Sequence, residues 1–193
     1  MHSWQALPDV PLQSTGQITA DLLARGIRDF RSAGHYLHRL PYGRNSDRAS
    51  FRLVLPEGRG TCSTKHALLA ELAREQNVPL VLTLGIYEMH ERNTPGVGAV
   101  LDKYGLSSIP EAHCYLTYQG ARIDITRSGV EPTDSVDRFL YEEAIVPEQI
   151  GSYKIQLHQR FMQNWLANHN LVGGRSFIEI WKIREECIAA LAQ

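Results

Sequence analysis

Three absences narrow the reading of this chain before any motif is considered. It carries only three cysteines, at positions 62, 114 and 187, too few and too scattered for a disulfide framework. Their number is odd, so at least one is expected to be a free thiol. No apolar run approaches the length of a membrane-spanning helix, and the longest, residues 78–86, reads as a buried strand. Charge of one sign is also lacking. With 20 basic and 21 acidic residues the net charge is −1, so no bulk field favours nucleic acid or an anionic membrane as a partner. Residues 1–16 have neither a basic start nor an apolar core and do not read as a signal peptide, which makes the cytoplasm the expected compartment. There is no Gly-rich phosphate loop, dinucleotide fingerprint or HExxH signature, and neither a metal nor a cofactor is expected.

What remains is the composition of an ordinary globular protein, 43% hydrophobic and 21% charged, at a length of 193 residues that one domain can organise. Ile18, Leu22, Leu23, Ile27 and Phe30 recur at helical spacing and predict a first helix over 17–33, ending before Gly34. Residues 40–60 read mainly as loop, with a brief apolar patch at 51–55. A second helix starts after Thr61, its expected N-cap, with Leu68, Leu69, Leu72 and Ala73 facing inward. A strand follows over 80–86, then a mixed insertion over 88–108 with a short helix around 97–104. Runs 112–118 and 121–126, joined by Gln119-Gly120, predict a β-hairpin. Tyr153, Leu157, Phe161 and Trp165 mark one late helix. After the break at Gly173-Gly174, Ser176 and Glu179 are spaced as a capping box for another, carrying Ile180, Trp181, Ile188 and Leu191. The class is α+β in a single domain over 1–193, with a core at about 40–130 and C-terminal helices at about 150–192.

Position 62 suits a nucleophile. A thiol attacks an acyl carbon as the thiolate, and the first turn of a helix offers free N–H groups and a positive dipole end that favour negative sulfur. Lys65, three residues on, is expected to add to this, and the same N–H groups are placed to serve an oxyanion. The hairpin supplies the base. With a two-residue turn, Tyr118 pairs with Ala121, so His113 and Asp124 become diagonal neighbours on one face, while Cys114 points to the other as a core residue. Asn45 or Tyr42, just upstream, is a candidate oxyanion donor. His66 lies four residues from Cys62 and is expected to be a polar wall of the cleft. As alternatives it is the base itself, or part of a zinc site with Cys62, His113 and Cys114, which the alternation of strand residues disfavours. Tyr87, Glu88, His90 and Glu91 are further candidates to line the cleft, and Trp165 and Trp181 are expected in the core.

The segments Gly60-Thr61-Cys62-Ser63-Thr64-Lys65-His66, Glu111-Ala112-His113-Cys114-Tyr115 and Arg122-Ile123-Asp124-Ile125-Thr126 together resemble the transglutaminase-like superfamily. In that family a Gly-x-Cys helix start precedes a strand bearing histidine and a second strand ending in Asp-x-Thr. The likeness covers about residues 55–130, and the helices at both ends lie outside it. Tyr115 stands where the family often has tryptophan, and counts as a candidate substrate contact. The resemblance implies a papain-like core, a nucleophile helix packed on a small antiparallel sheet, with Cys62 as nucleophile, His113 as base and Asp124 as its orienting carboxylate. It implies acyl transfer on a peptide, protein or small-molecule amide or ester through a thioester, with hydrolysis as the first expectation. The alternatives are transfer to an amine, as in a transglutaminase or acyltransferase, or a non-catalytic domain that binds a peptide or ligand in the same cleft.

Overall fold

A computed structural model describes residues 3–129, 136, 138–168 and 174–192. The first departure from expectation is early. The helix predicted over 17–33 is two helices, α1 (Gln17–Ala24) and α2 (Phe30–Arg39). Gly26 takes a left-handed φ of +80°, its N–H bonding back to the Leu23 carbonyl, and this ends α1. Asp29 then caps α2 by accepting from the Ser32 N–H at 2.7 Å. Gly34, read as a stop, sits inside α2, because a Cβ there would lie 2.1 Å from the Leu7 side chain.

The short helix α3 (Val54–Glu57) replaces part of the predicted loop and leads to α4 (Cys62–Glu75). Thr61 caps α4 as expected, in a reciprocal box with Thr64. Every residue of α4 from Cys62 to Ala73 is buried, so this is a central helix rather than an amphipathic surface one. At its far end the Glu75 carboxylate accepts from the Ile18 and Thr19 N–H groups at 3.1 and 2.8 Å, capping α1 from across the interface.

Strands β1 (Val81–Met89), β2 (Ile109–Tyr118), β3 (Ala121–Ile123) and β4 (Tyr141–Ile145) form an antiparallel sheet in the order β3-β2-β1-β4, with α5 (Gly98–Lys103) between β1 and β2. The hairpin has the predicted register: Tyr118 pairs with Ala121 and Leu116 with Ile123, and the positive φ of Gln119 and Gly120 is that of a tight type I′ turn. Strand β4 was not expected. Its Tyr141-Glu142-Glu143 start lacks the alternation of a half-buried strand, and it pairs along β1 from Ile86 with Tyr141 to Leu82 with Ile145.

Helices α6 (Ser152–Asn168) and α7 (Phe177–Ala190) close the chain, α7 beginning with the predicted Ser176 and Glu179 box. Gly173 lies outside the described residues. The buried stripe of α6 is Lys154, Leu157, His158 and Met162, one residue round from the one expected, and Tyr153 is exposed. Two apolar clusters result. One joins α1, α2 and α4 to the sheet, and the other joins the ends of β1 and β2 to α5, α6 and α7. Among the described residues, no helix is long and apolar enough to cross a membrane.

Candidate active site

The Thr61 cap places Cys62 as the first residue of α4, where the N–H groups of Cys62 and Ser63 have no acceptor within the helix. Strand β2, against which α4 packs, brings His113 alongside. Asp124 follows the last residue of β3, and its Oδ2 lies 2.7 Å from His113 Nε2. That leaves Nδ1 as the ring nitrogen for the sulfur. Asp124 is itself held. Its Oδ1 accepts from the Thr126 N–H at 2.8 Å, its own N–H donates to Ser3 Oγ at 3.1 Å, and the Ser3 hydroxyl donates to the Asp124 carbonyl at 2.5 Å.

The electrostatics follow from these neighbours. Burial works against the Cys62 thiolate, but the charge of Lys154 and the hydrogen bond and charge of His113 outweigh it, and the thiol falls from 9.0 to about 6. Burial likewise disfavours the His113 imidazolium, yet the Asp124 charge and hydrogen bond, joined by the sulfur, raise it from 6.5 to about 10. Asp124, desolvated in part, is kept ionised far below the usual carboxylate range by His113. Near neutral pH the pair is therefore thiolate and imidazolium.

The main cation acting on the sulfur is not Lys65, although Lys65 does feel the Cys62 charge. Lys65 is fully buried and its ammonium donates to the Leu40 and Thr126 carbonyls at 2.5 and 2.9 Å, fastening α4 to the chain beyond β3. Burial lowers it to about 8. Lys154 of α6 takes that part instead, donating to Ser63 Oγ at 2.7 Å, with Ser63 Oγ 3.8 Å from Cys62 Sγ. Sequence reasoning missed Lys154. The one local signal is that Lys154 and His158, spaced by four, interrupt an apolar face.

The remaining candidates separate cleanly. Asn45 is not an oxyanion donor, since both hydrogens of its amide are taken by Glu57 Oε2 and the Arg59 carbonyl, each at 3.0 Å, while its Oδ1 accepts from Thr64. Tyr42 keeps its place: it lines the cavity beside Cys62, and burial, followed by the charges of Cys62 and Glu111, pushes its phenol well above the ordinary value, so it stays a donor. His66 is neither cleft wall nor base. It is fully buried, Nδ1 donating to the Cys62 carbonyl at 2.7 Å and Nε2 accepting from the Ile125 N–H at 2.8 Å, and burial lowers it to about 4. With both nitrogens engaged it has none for a metal, and Cys114 points into the core as expected. Among the described residues no cluster of three or more histidine, cysteine, aspartate or glutamate side chains forms a metal site.

Tyr115 is not among the residues that line the cavity at Cys62. Its ring stacks 6.3 Å from that of His113 and its hydroxyl donates to Glu142. Tyr87 packs edge-on to His113 at 5.9 Å, its hydroxyl 2.8 Å from Thr94 Oγ1. Glu88 is exposed, while His90 and Glu91 organise the loop before α5 through Asn93 and the Gly98 N–H rather than lining the cavity. Trp165 packs with the second cluster, whereas Trp181 also lines the cavity. All three cysteines are free and buried. The cavity beside Cys62 has a volume of about 380 Å³ and is lined by residues of α4, α6 and α7, by Glu111 of β2 and by the 42–48 segment, while His113 and Asp124 are not among its lining residues. Comparison with family models, curated proteins and solved structures finds no match to this chain.

Proposed function

We propose that this protein is a cysteine-dependent acyl-transfer enzyme with a papain-like, transglutaminase-like core, acting on an amide or ester by hydrolysis. One observation carries the reading. A cysteine at a helix N-terminus, lowered to about 6, faces a histidine whose other nitrogen is 2.7 Å from a braced carboxylate. A purely structural histidine has no need of that sequence of partners. The unpaired cysteines fit a reducing compartment such as the cytoplasm.

The chemistry follows from the arrangement. The Cys62 thiolate attacks the carbonyl carbon, a C–S bond forms, and the carbonyl pair moves to oxygen. We assign that oxyanion to the N–H groups at the start of α4 and to the hydroxyl of Tyr42, which lines the cavity. His113 gives its Nδ1 proton to the leaving nitrogen or oxygen, the C–N or C–O bond breaks, and a thioester remains. Water then attacks while His113 takes its proton, the C–S bond breaks, and the thiolate and imidazolium are restored. We take hydrolysis as the first reading and transfer to an amine as the alternative.

The test is a burst experiment with p-nitrophenyl acetate. The reading expects rapid release of p-nitrophenolate stoichiometric with enzyme, with the acetyl group on Cys62 by peptide mass mapping, and loss of the burst in Cys62→Ala and His113→Ala. A burst that persists in Cys62→Ala, or acetyl groups found on Cys114 or Cys187 instead, would overturn it.

A further inference from the structure

The cavity beside Cys62 carries more positive charge than its own carboxylates balance. Four cationic side chains line it, Arg44, Arg48, Lys154 and Arg184, against Glu111 and Glu185. The carboxylates are already committed. Arg184 grips Glu111 through two nitrogens at 2.7 and 2.5 Å, and Glu185 is shared among Arg184 at 2.6 Å, Arg44 at 2.8 Å and Arg48 at 3.5 Å. Lys154 makes no carboxylate pair among the described residues. It is only 8% exposed, and Ser63 Oγ is the partner of just one of its three donors.

Nucleophile formation takes up only part of this surplus. The His113 imidazolium is already held by the ionised Asp124, so the Cys62 thiolate, favoured first by Lys154, adds one negative charge and leaves four cations against three anions along the wall. The other titratable groups on the wall are neutral: His158 Nε2 donates to the Pro110 carbonyl at 2.9 Å and burial lowers it to about 4, and Tyr42 stays a phenol. The Cys62 thiolate answers the Lys154 charge, but the ammonium keeps hydrogen-bond donors to spare in a recess of low dielectric, where unfilled donors are costly. At about 380 Å³ the recess lies at the small end of ligand pockets, and Ile150, Ile155 and Ile188 supply apolar wall beside the charges.

Building on the acyl-transfer reading, we propose that this cavity is a carboxylate-binding subsite, and that the substrate is a small acyl compound bearing a carboxylate close to the scissile carbonyl. Lys154 is the anchor at the buried end, and Arg48, whose side chain is 58% exposed, adds attraction at the mouth. Lys65 is no rival anchor, because two carbonyls already hold its ammonium.

Iodoacetate and iodoacetamide test this directly. In both reactions the thiolate displaces iodide from a methylene carbon, an S–C bond forming as the C–I bond breaks, so the thiolate fraction cancels in the ratio of their rates. The proposal expects the iodoacetate to iodoacetamide ratio at Cys62 to exceed that of a free thiol, N-acetylcysteine at the same pH, by about tenfold or more, one desolvated charge contact being worth that much. Lys154→Gln should bring the ratio to the free-thiol value and Lys154→Arg should retain most of the preference. Arg48→Ala, at an exposed position that does not threaten folding, should lower it about twofold. A ratio at or below the free-thiol value, at a Cys62 that reacts quickly with iodoacetamide, overturns the subsite and leaves the nucleophile standing. A Cys62 inert to both reagents overturns both readings.

Discussion

Where α4 meets the hairpin, two histidines lie 6.1 Å apart between ring centres, and both approach Asp124, at 3.5 Å for His66 and 2.7 Å for His113. Across the sulfur, the cavity wall made by α6, α7, Glu111 of β2 and the 44–48 segment holds three arginines and a lysine against two glutamates. The first region is satisfied mostly by backbone groups, the second by side-chain charges. Within the first, the two rings end at opposite extremes. His66 falls to about 4 because burial dominates and its bonds run to a carbonyl and an N–H, whereas His113 rises to about 10 because its partners are a carboxylate and a sulfur. Proximity to one aspartate thus does not decide which histidine is charged; the atoms on each nitrogen do. His66 ties the Cys62 carbonyl to the Ile125 N–H, next to Asp124, so the neutral ring positions the residue whose sulfur the charged ring faces.

The difference between the two histidines can be broken from the Asp124 side first. Asp124→Asn should cut kcat/KM by about 10³–10⁴-fold while the fold persists, since the imidazolium loses its partner. With the wild type the activity should rise through about pH 6, as the thiol ionises, and fall through about pH 10, as His113 loses the proton its leaving group needs. In the variant the upper limb should move to lower pH, and a pH profile of kcat/KM checks this.

His66→Ala should act on the other quantity. Leaving the Cys62 carbonyl and the Ile125 N–H unpaired inside the core, together with a cavity, is expected to lower unfolding stability by about 3 kcal/mol or more, read from urea melts. Its folded fraction should still titrate at Cys62 near the wild-type value.

Acid stability separates the two histidines again. The folded His66 lies at about 4, below its ordinary 6.5, so the unfolded chain binds the proton first and stability falls as pH drops from about 6.5 to about 4. A shift of that size corresponds to a loss on the order of 3 kcal/mol at this fully buried site. His158 shifts the same way, so removing His66 should remove about half of the slope in urea midpoints measured across that range. His113 has the opposite sign: its contribution is complete below 6.5 and disappears as pH rises through about 10.

The smallest effect concerns the wall behind His113. Gly85, paired with His113 across the ladder, leaves room for Phe139, whose ring a Cβ would meet at 2.3 Å. Gly85→Ala should cost about 1–2 kcal/mol in thermal or urea unfolding by displacing Phe139 from Tyr87 and Tyr115. It should leave the Cys62 ionisation almost unchanged.

The hairpin half of the site is legible in the amino-acid order because two local rules suffice. Thr61 starts a helix, which puts Cys62 at its N-terminus, and the Gln119-Gly120 turn sets a register that brings Asp124 to His113. Lys154 is not legible, because nothing local says that α6 presents that stripe to the start of α4, where its partner Ser63 lies 91 residues earlier in the chain. Ser3, which braces Asp124 from 121 residues away, is hidden for the same reason, and so is β4, whose place is set by pairing with β1 rather than by its own pattern. His66 misleads through proximity: spacing of four put it near the sulfur, but burial and two backbone bonds decide its role. The break at Gly26 was legible in principle, since an αL glycine followed by Asp29 three residues on is a stop and a start.

The rate of Cys62 alkylation by iodoacetamide against pH, resolved by peptide mass mapping in the wild type and in His113→Ala, tests the central claim most directly. The account predicts a wild-type midpoint near pH 6 that moves up toward the ordinary thiol value of 9.0 when His113 is removed. A wild-type midpoint at or above 9.0, or one that does not move in His113→Ala, would contradict it.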